Sequence, residues 1–182
     1  MGIGALVCRH GFVTAMCSMQ TDENFLYFEL LLEHALPKIQ VPSLKAVFMD
    51  VACKFEGFWR GRHGQGPFTN LTFAIGPWHI RPHKPECNIR YNSRYIGGLG
   101  LTYGDLIEHL WADIRRHWFI TAYMSPAARQ DFITQLVRFR HRKKEEGLAR
   151  QLGKWAQTAI KQKETIIKRY DRTKVLCMLV DT

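Results

Sequence analysis

The chain has 182 residues and a net charge of +10, with 46% hydrophobic and 23% charged residues. That suffices for one domain with a core plus an appendage in ordinary globular proportions. No run approaches the roughly 20 apolar residues of a membrane span, so no membrane partner is expected. The charge is uneven. Residues 1–111 hold ten Lys and Arg against nine Asp and Glu, a net +1, and residues 112–182 hold sixteen against seven, a net +9. A neutral aromatic part followed by a basic tail points to a polyanion partner, nucleic acid first.

In chain order, "IGALVCRHGFVTAMCSM" predicts two short strands around a turn at His10 and Gly11. Arg9 and His10 stand where a signal peptide has its apolar centre, so a soluble intracellular chain is expected. Thr21 or Asp22 can cap a helix over "DENFLYFELLLEHAL", with Pro37 as its terminator. "LKAVFMDVA", bounded by Pro42, predicts a buried, central, parallel strand ending on Asp50. Residues 56–103, rich in Pro and Gly, read as a long insert of loop with one further strand in "LTFAIGPWHI". Such a loop is uncommon unless it is functional or organised by something such as a metal. From "YGDLIEHLWADIRRHWFITAYM" the pattern is helical, with Ile107, Leu110, Ile114 and Trp118 on one face. Ser125 and Pro126 then start one or two long basic helices, with Gly147 and Gly153 as weak points and a frayed end at "KVLCMLVDT". The expected domains are residues 1–124 and a basic helical extension over 125–182.

Three constellations carry chemistry. Asp50 at a strand end and Glu108 on a helix could share a divalent cation, Mg²⁺ or Mn²⁺, for phosphoryl transfer. From the residues alone the plainer reading is that Asp50 caps the following turn and Glu108 pairs with a nearby Arg. Cys53, His79, His83 and Cys87 offer donors suited to a structural Zn²⁺, as do Cys8 and His10, or they are polar loop residues and small buried hydrophobes. Pro82 and Pro85 argue against a helix there, so such ligands would converge from a loop. The five cysteines, at 8, 17, 53, 87 and 177, form no disulfide framework. "RFRHRKKEE" supplies Arg138, Arg140, Arg142, Lys143 and Lys144, continued by Arg150 and Lys154, for phosphate contact, and it looks like a nuclear-localisation cluster. The alternative is a solvated helix face. Phe58, Trp59, Trp78, Trp111 and Trp118 could stack on bases, though most are better explained as core.

Strand–strand–helix–strand–helix resembles the later two-thirds of a ribonuclease-H-like fold, giving an α/β class with a Cys/His-containing insert. More specifically, "GALVCRHGFV", "ENFLYFELLLE", "VFMDVACKF" and "WHIRPHKPECNIRYNSRYIGGLGLTYGDLIEHLW" resemble the Kyakuja-Dileera-Zisupton (KDZ) transposases of eukaryotic, notably fungal, genomes, over roughly residues 2–125. The resemblance implies a DDE catalytic domain that cuts and joins DNA with divalent metal ions, Asp50 being its second acid and Glu108 its third. It also implies a first acid on a strand before "GALVCRHG". No residue here matches it, and Asp22 opens the following helix instead. The family's Gly-Glu is replaced by Gly104 and Asp105, which reads as drift. A truncated transposase domain, inactive by itself, is therefore expected in the nucleus, with DNA as partner and a second transposase chain as a source of the missing acid. A non-catalytic nucleic-acid-binding or zinc-organised interaction module is the alternative.

Overall fold

The computed structural model describes residues 2–38, 46–64, 70–99 and 102–180, with side chains as far as residue 171. The chain divides into two compact units, Met1–Leu136 and Val137–Thr182.

The first unit opens with the expected hairpin, strands β1 (Gly2–Val7) and β2 (Val13–Met19), antiparallel with Ala5 opposite Met16 and a register shift at Leu6 and Val7. Helix α1 follows at Phe25–Ala35. Its cap is neither Thr21 nor Asp22 but Asn24, whose side chain accepts a hydrogen bond from the Leu26 amide at 3.0 Å. Thr21 and the Gln20 and Thr21 amides instead bond the Tyr27 hydroxyl. Pro37 sits in a single 3-10 turn, Leu36–Lys38, that ends the helix.

Strand β3 (Ala46–Phe48) pairs in parallel with β4 (Thr72–Ala74), with Val47 opposite Phe73. The start of the expected strand, with Pro42, lies outside the described residues. Among the described residues β3 has β4 as its one neighbour, so it is an edge and not a central strand. Just beyond β4, the Ile75 amide donates to the Tyr91 carbonyl at 2.7 Å.

The expected long loop is interrupted by two helices and is otherwise turns around one short strand. Helix α2 (Ala52–His63) starts directly after Asp50, and α3 (Pro85–Tyr91) uses Pro85 in its first turn, where the missing amide hydrogen costs nothing. One face of α2 drives its formation: Ala52, Phe55, Glu56 and Trp59 are buried at helical spacing. Phe55 is central, with Phe25, Phe28, Phe58, Trp59 and Phe73 rings at 5.4–6.4 Å between centroids. Two buried carboxylates fasten α2 to its neighbours. Glu29 on α1 accepts from Arg62 Nε and meets His63 Nε2, both at 2.7 Å. Burial works to raise the Glu29 carboxyl, but these bonds outweigh it and hold the group below its ordinary value. Glu56 likewise accepts from Arg60, from Arg90 on α3 and from the Tyr91 hydroxyl at 2.7 Å. Burial, then that bond to Glu56, pushes the Tyr91 phenol up to about 12.

Helices α4 (Leu106–Arg115) and α5 (Trp118–Thr121) complete the expected helical stretch. Leu110 is buried and α4 lies against β1, but Trp118 is exposed and does not continue the apolar face. Helix α6 then runs unbroken from Pro126 to Val180, with the Ser125 hydroxyl accepting from the Ala128 amide at 3.3 Å. Gly147 and Gly153 do not interrupt it. The side chains of 172–182, including Cys177, lie outside the described residues.

Candidate functional site

Asp50 occupies the turn between β3 and α2, and Glu108 the first turn of α4. His79, expected among zinc ligands, lies between them. Its Nδ1 is 3.3 Å from Asp50 Oδ2, and its Nε2 is 3.7 Å from Asp105 Oδ1 and 3.8 Å from Glu108 Oε1. Three carboxylates therefore surround one imidazole. Asp50 and Glu108 are open to solvent, with side-chain exposures of 63% and 51%, while Asp105 keeps 21%. Burial, and then the charges of Asp50 and Glu108, push the Asp105 carboxyl up, against the opposing pull of His79.

Asp105 is the residue that sequence reasoning passed over as drift. It stands at the N-cap position of α4 without capping it, three residues before Glu108, which puts the two acids on one side of the helix. Two glycines let it approach. A Cβ on Gly76 would run into the Asp105 carboxylate and come within 2.7 Å of the Tyr103 carbonyl. Gly104 has φ +76, and a Cβ there would strike the Phe48 ring of β3. The two glycines thus let the Asp105 carboxylate pack against the end of β4 and the Phe48 ring of β3 against the entry to α4.

These groups line a cleft of about 430 Å³. Its walls include Ile3 to Leu6 of β1 and Val47 to Val51 at the end of β3, with Phe28 and Leu31 of α1 and Trp111 of α4. Successive residues of a strand point to opposite faces. A cavity lined by every residue of two short stretches therefore meets those strands edge-on. Among the described residues β1 pairs with β2 alone, so both edges present unpaired backbone groups to the cleft.

Cys53, His83 and Cys87 form a second cluster. Cys53 lies in the first turn of α2, His83 in the turns before α3, and Cys87 in α3 itself, so the donors come from two helices and a turn. Cys53 Sγ is 3.6 Å from His83 Nδ1, and the three donor atoms lie within 4.8 Å of one another. Burial, and then the neighbouring Cys87 thiol, push the Cys53 thiol up. Among the described residues, Cys8 and His10 join no such cluster. A third group, Glu29, Glu33 and His63, is already engaged by Arg62.

In the second unit, Arg138, Arg142, Lys143, Arg150 and Lys154 are exposed, while Arg140 and Lys144 are half-buried. At 100° per residue, Lys143, Arg150, Lys154, Lys161 and Lys168 fall on one face of α6, and each is exposed. The stripe runs about 38 Å along the helix axis. Of the five aromatic candidates for base stacking, Trp59 is buried, Phe58 and Trp111 are half-buried, and Trp78 and Trp118 are exposed.

No helix among the described residues is long and apolar enough to cross a membrane. Neither the curated proteins nor the solved structures contain a match to the chain. The family model described as Kyakuja-Dileera-Zisupton transposase matches residues 1–141. The chain belongs to the KDZ transposase family.

Proposed function

We propose that this transposase-derived chain is a DNA-binding domain of partial ribonuclease-H-like fold, and that its carboxylate centre takes a divalent cation in the manner of DDE enzymes. The observation that carries the reading is the convergence of Asp50, Asp105 and Glu108 on His79 beside a cleft bounded by two open strand edges. Hard carboxylate oxygens suit Mg²⁺ and Mn²⁺, which retain several waters and need one or two carboxylates each. The Asp50, His79 and Glu108 donor atoms lie within 4.8 Å of one another, which fits one ion. When bound, such ions activate an attacking oxygen and stabilise a leaving one in phosphoryl transfer. The chain's own part is to aim Asp50 from the turn after β3 and Glu108 from α4, with His79 holding Asp50 in place.

The first acid that the resemblance implies has no counterpart among Asp50, Asp105 and Glu108, and the cleft has the form of a seat for a strand that would bring it. A strand there would pair with β1 on one side and β3 on the other, joining two sheets into one. By itself the 182-residue chain binds DNA through residues 125–182 without cutting or joining it, and the basic cluster at 138–144 directs it to the nucleus. A second reading, a DNA-binding module without metal chemistry, is favoured by the exposed basic face of α6 and predicts the same binding with no role for Asp50.

Incubation of the purified chain with supercoiled plasmid and Mn²⁺ tests the claim that the centre is incomplete. The expected result is retarded but intact DNA. Nicking that disappears in Asp50→Asn would overturn the claim that the centre is incomplete.

A further inference from the structure

We propose that Cys53, His83 and Cys87 form a zinc site that excludes His79 and clamps the segment before α3 onto the start of α2. The geometry carries this. Zinc–sulfur and zinc–nitrogen bonds of about 2.3 and 2.0–2.1 Å at a tetrahedral angle place the two donor atoms about 3.5–3.6 Å apart. Cys53 Sγ and His83 Nδ1 are 3.6 Å apart. The Cys87 sulfur completes a set in which all donor atoms lie within 4.8 Å. The donors are two thiols and an imidazole, a chemistry that selects zinc over magnesium. All three residues are half-buried, and Cys53 and Cys87 pack against the main core, so the site stands on rigid elements. On binding, each thiol gives its proton to solvent and ligates as a thiolate.

The fourth position is left to water, because His79 is turned away. The sequence interval is misleading here: His79 and His83 are four residues apart, but they serve different clusters. The chain between them folds in turns, with the His79 and Ile80 amides donating to the Gly76 carbonyl and the His83 amide to the Ile80 carbonyl. The two clusters share their supports, since Cys53 lies three residues beyond Asp50 and His83 four beyond His79. The role assigned to the metal is therefore structural: it fixes the turn that carries His79. The site does not depend on DNA or on Mg²⁺, so its failure and that of the carboxylate reading are distinguishable.

Cobalt(II) is the probe. The reduced full-length chain, freed of metal, is titrated with Co²⁺ and followed by its thiolate-to-cobalt charge-transfer and tetrahedral d–d absorption. The expected result is saturation at one equivalent, displacement by Zn²⁺, and no change in His79→Ala. The bands are lost in the double variant Cys53→Ser, Cys87→Ser. His83→Cys, which adds a thiolate, strengthens the charge-transfer band and keeps the test decisive where the serine variant fails to fold. In the wild type, Zn²⁺ also slows amide exchange over residues 79–91. Absence of the bands at saturating Co²⁺, their survival in the double serine variant, their loss in His79→Ala, an unchanged intensity in His83→Cys or an exchange rate indifferent to Zn²⁺ would each overturn the proposal.

Discussion

Asp105 shows how a single side chain changes the account of the centre. Its carboxyl is pushed above its ordinary value of 3.8, first by burial and then by Asp50 and Glu108. A carboxyl whose folded value is raised costs stability as the pH climbs past its unfolded value, and in full above its folded value, because the folded state must then hold a charge that the unfolded chain holds more easily. Asp105→Asn is thus expected to raise the melting temperature of the metal-free protein at neutral pH. The gain fades as the pH falls through the raised folded value and is gone below 3.8, where the acid is protonated in both states. Thermal melts across that range check the sign; a lower midpoint at neutral pH would contradict it. At this scale the sequence was only partly legible. Asp50 and Glu108 stand out as acids at a strand end and on an amphipathic helix. Asp105 does not, since an acid before a helix looks like a cap, and only the close approach allowed by Gly76 and Gly104 makes it a member of the cluster. By spacing His79 falls among the zinc candidates, but spacing along a chain does not fix the direction in which turns point a ring, and His79 lies with Asp50 and Glu108.

Among the elements, α2 is the instructive one. "FEGFWRGR" suggests a broken loop because Gly57 and Gly61 lower helix propensity. Burial of Ala52, Phe55, Glu56 and Trp59 overrides that propensity, and the glycines fall on the exposed side, where an added Cβ would meet nothing within 4 Å. Gly57→Ala and Gly61→Ala are expected to stabilise the protein by about 0.5–1 kcal/mol each, measurable by denaturant unfolding; destabilisation by either would mean that the helix is held differently. The hairpin, the body of α1 and the start of α6 were legible from turn, periodicity and Ser-Pro capping signals respectively, although the cap of α1 lies at Asn24. The pairing of β3 with β4 was not, because a three-residue strand has too few positions to declare its neighbours. Helix α6 makes its own prediction. If the face bearing Lys154 and Lys161 contacts phosphates, replacing both by Ala lowers the slope of log affinity against log salt by about 0.9 per lost contact. An unchanged slope in a binding titration would remove that face from the interface.

For the whole molecule, family membership over residues 1–141 agrees with what the motifs jointly implied. The described strands form two separate pairs, where the resemblance implies a first strand that no residue here matches. The physical form of that separation, a cleft edged by β1 and β3 beside three carboxylates, needed coordinates, because no local pattern records an unpaired edge. The same cleft places the open edges of the sheets next to the candidate centre, so completing the fold and completing the chemistry become one event in the proposed function. The central claim is that this centre holds a divalent cation through Asp50 and Glu108. The most direct measurement is Mn²⁺ binding to the purified chain, followed by the electron paramagnetic resonance of unbound Mn²⁺. The account predicts binding by the wild type that is lost in the folded double variant Asp50→Asn, Glu108→Gln. Equal binding by the two proteins would contradict it.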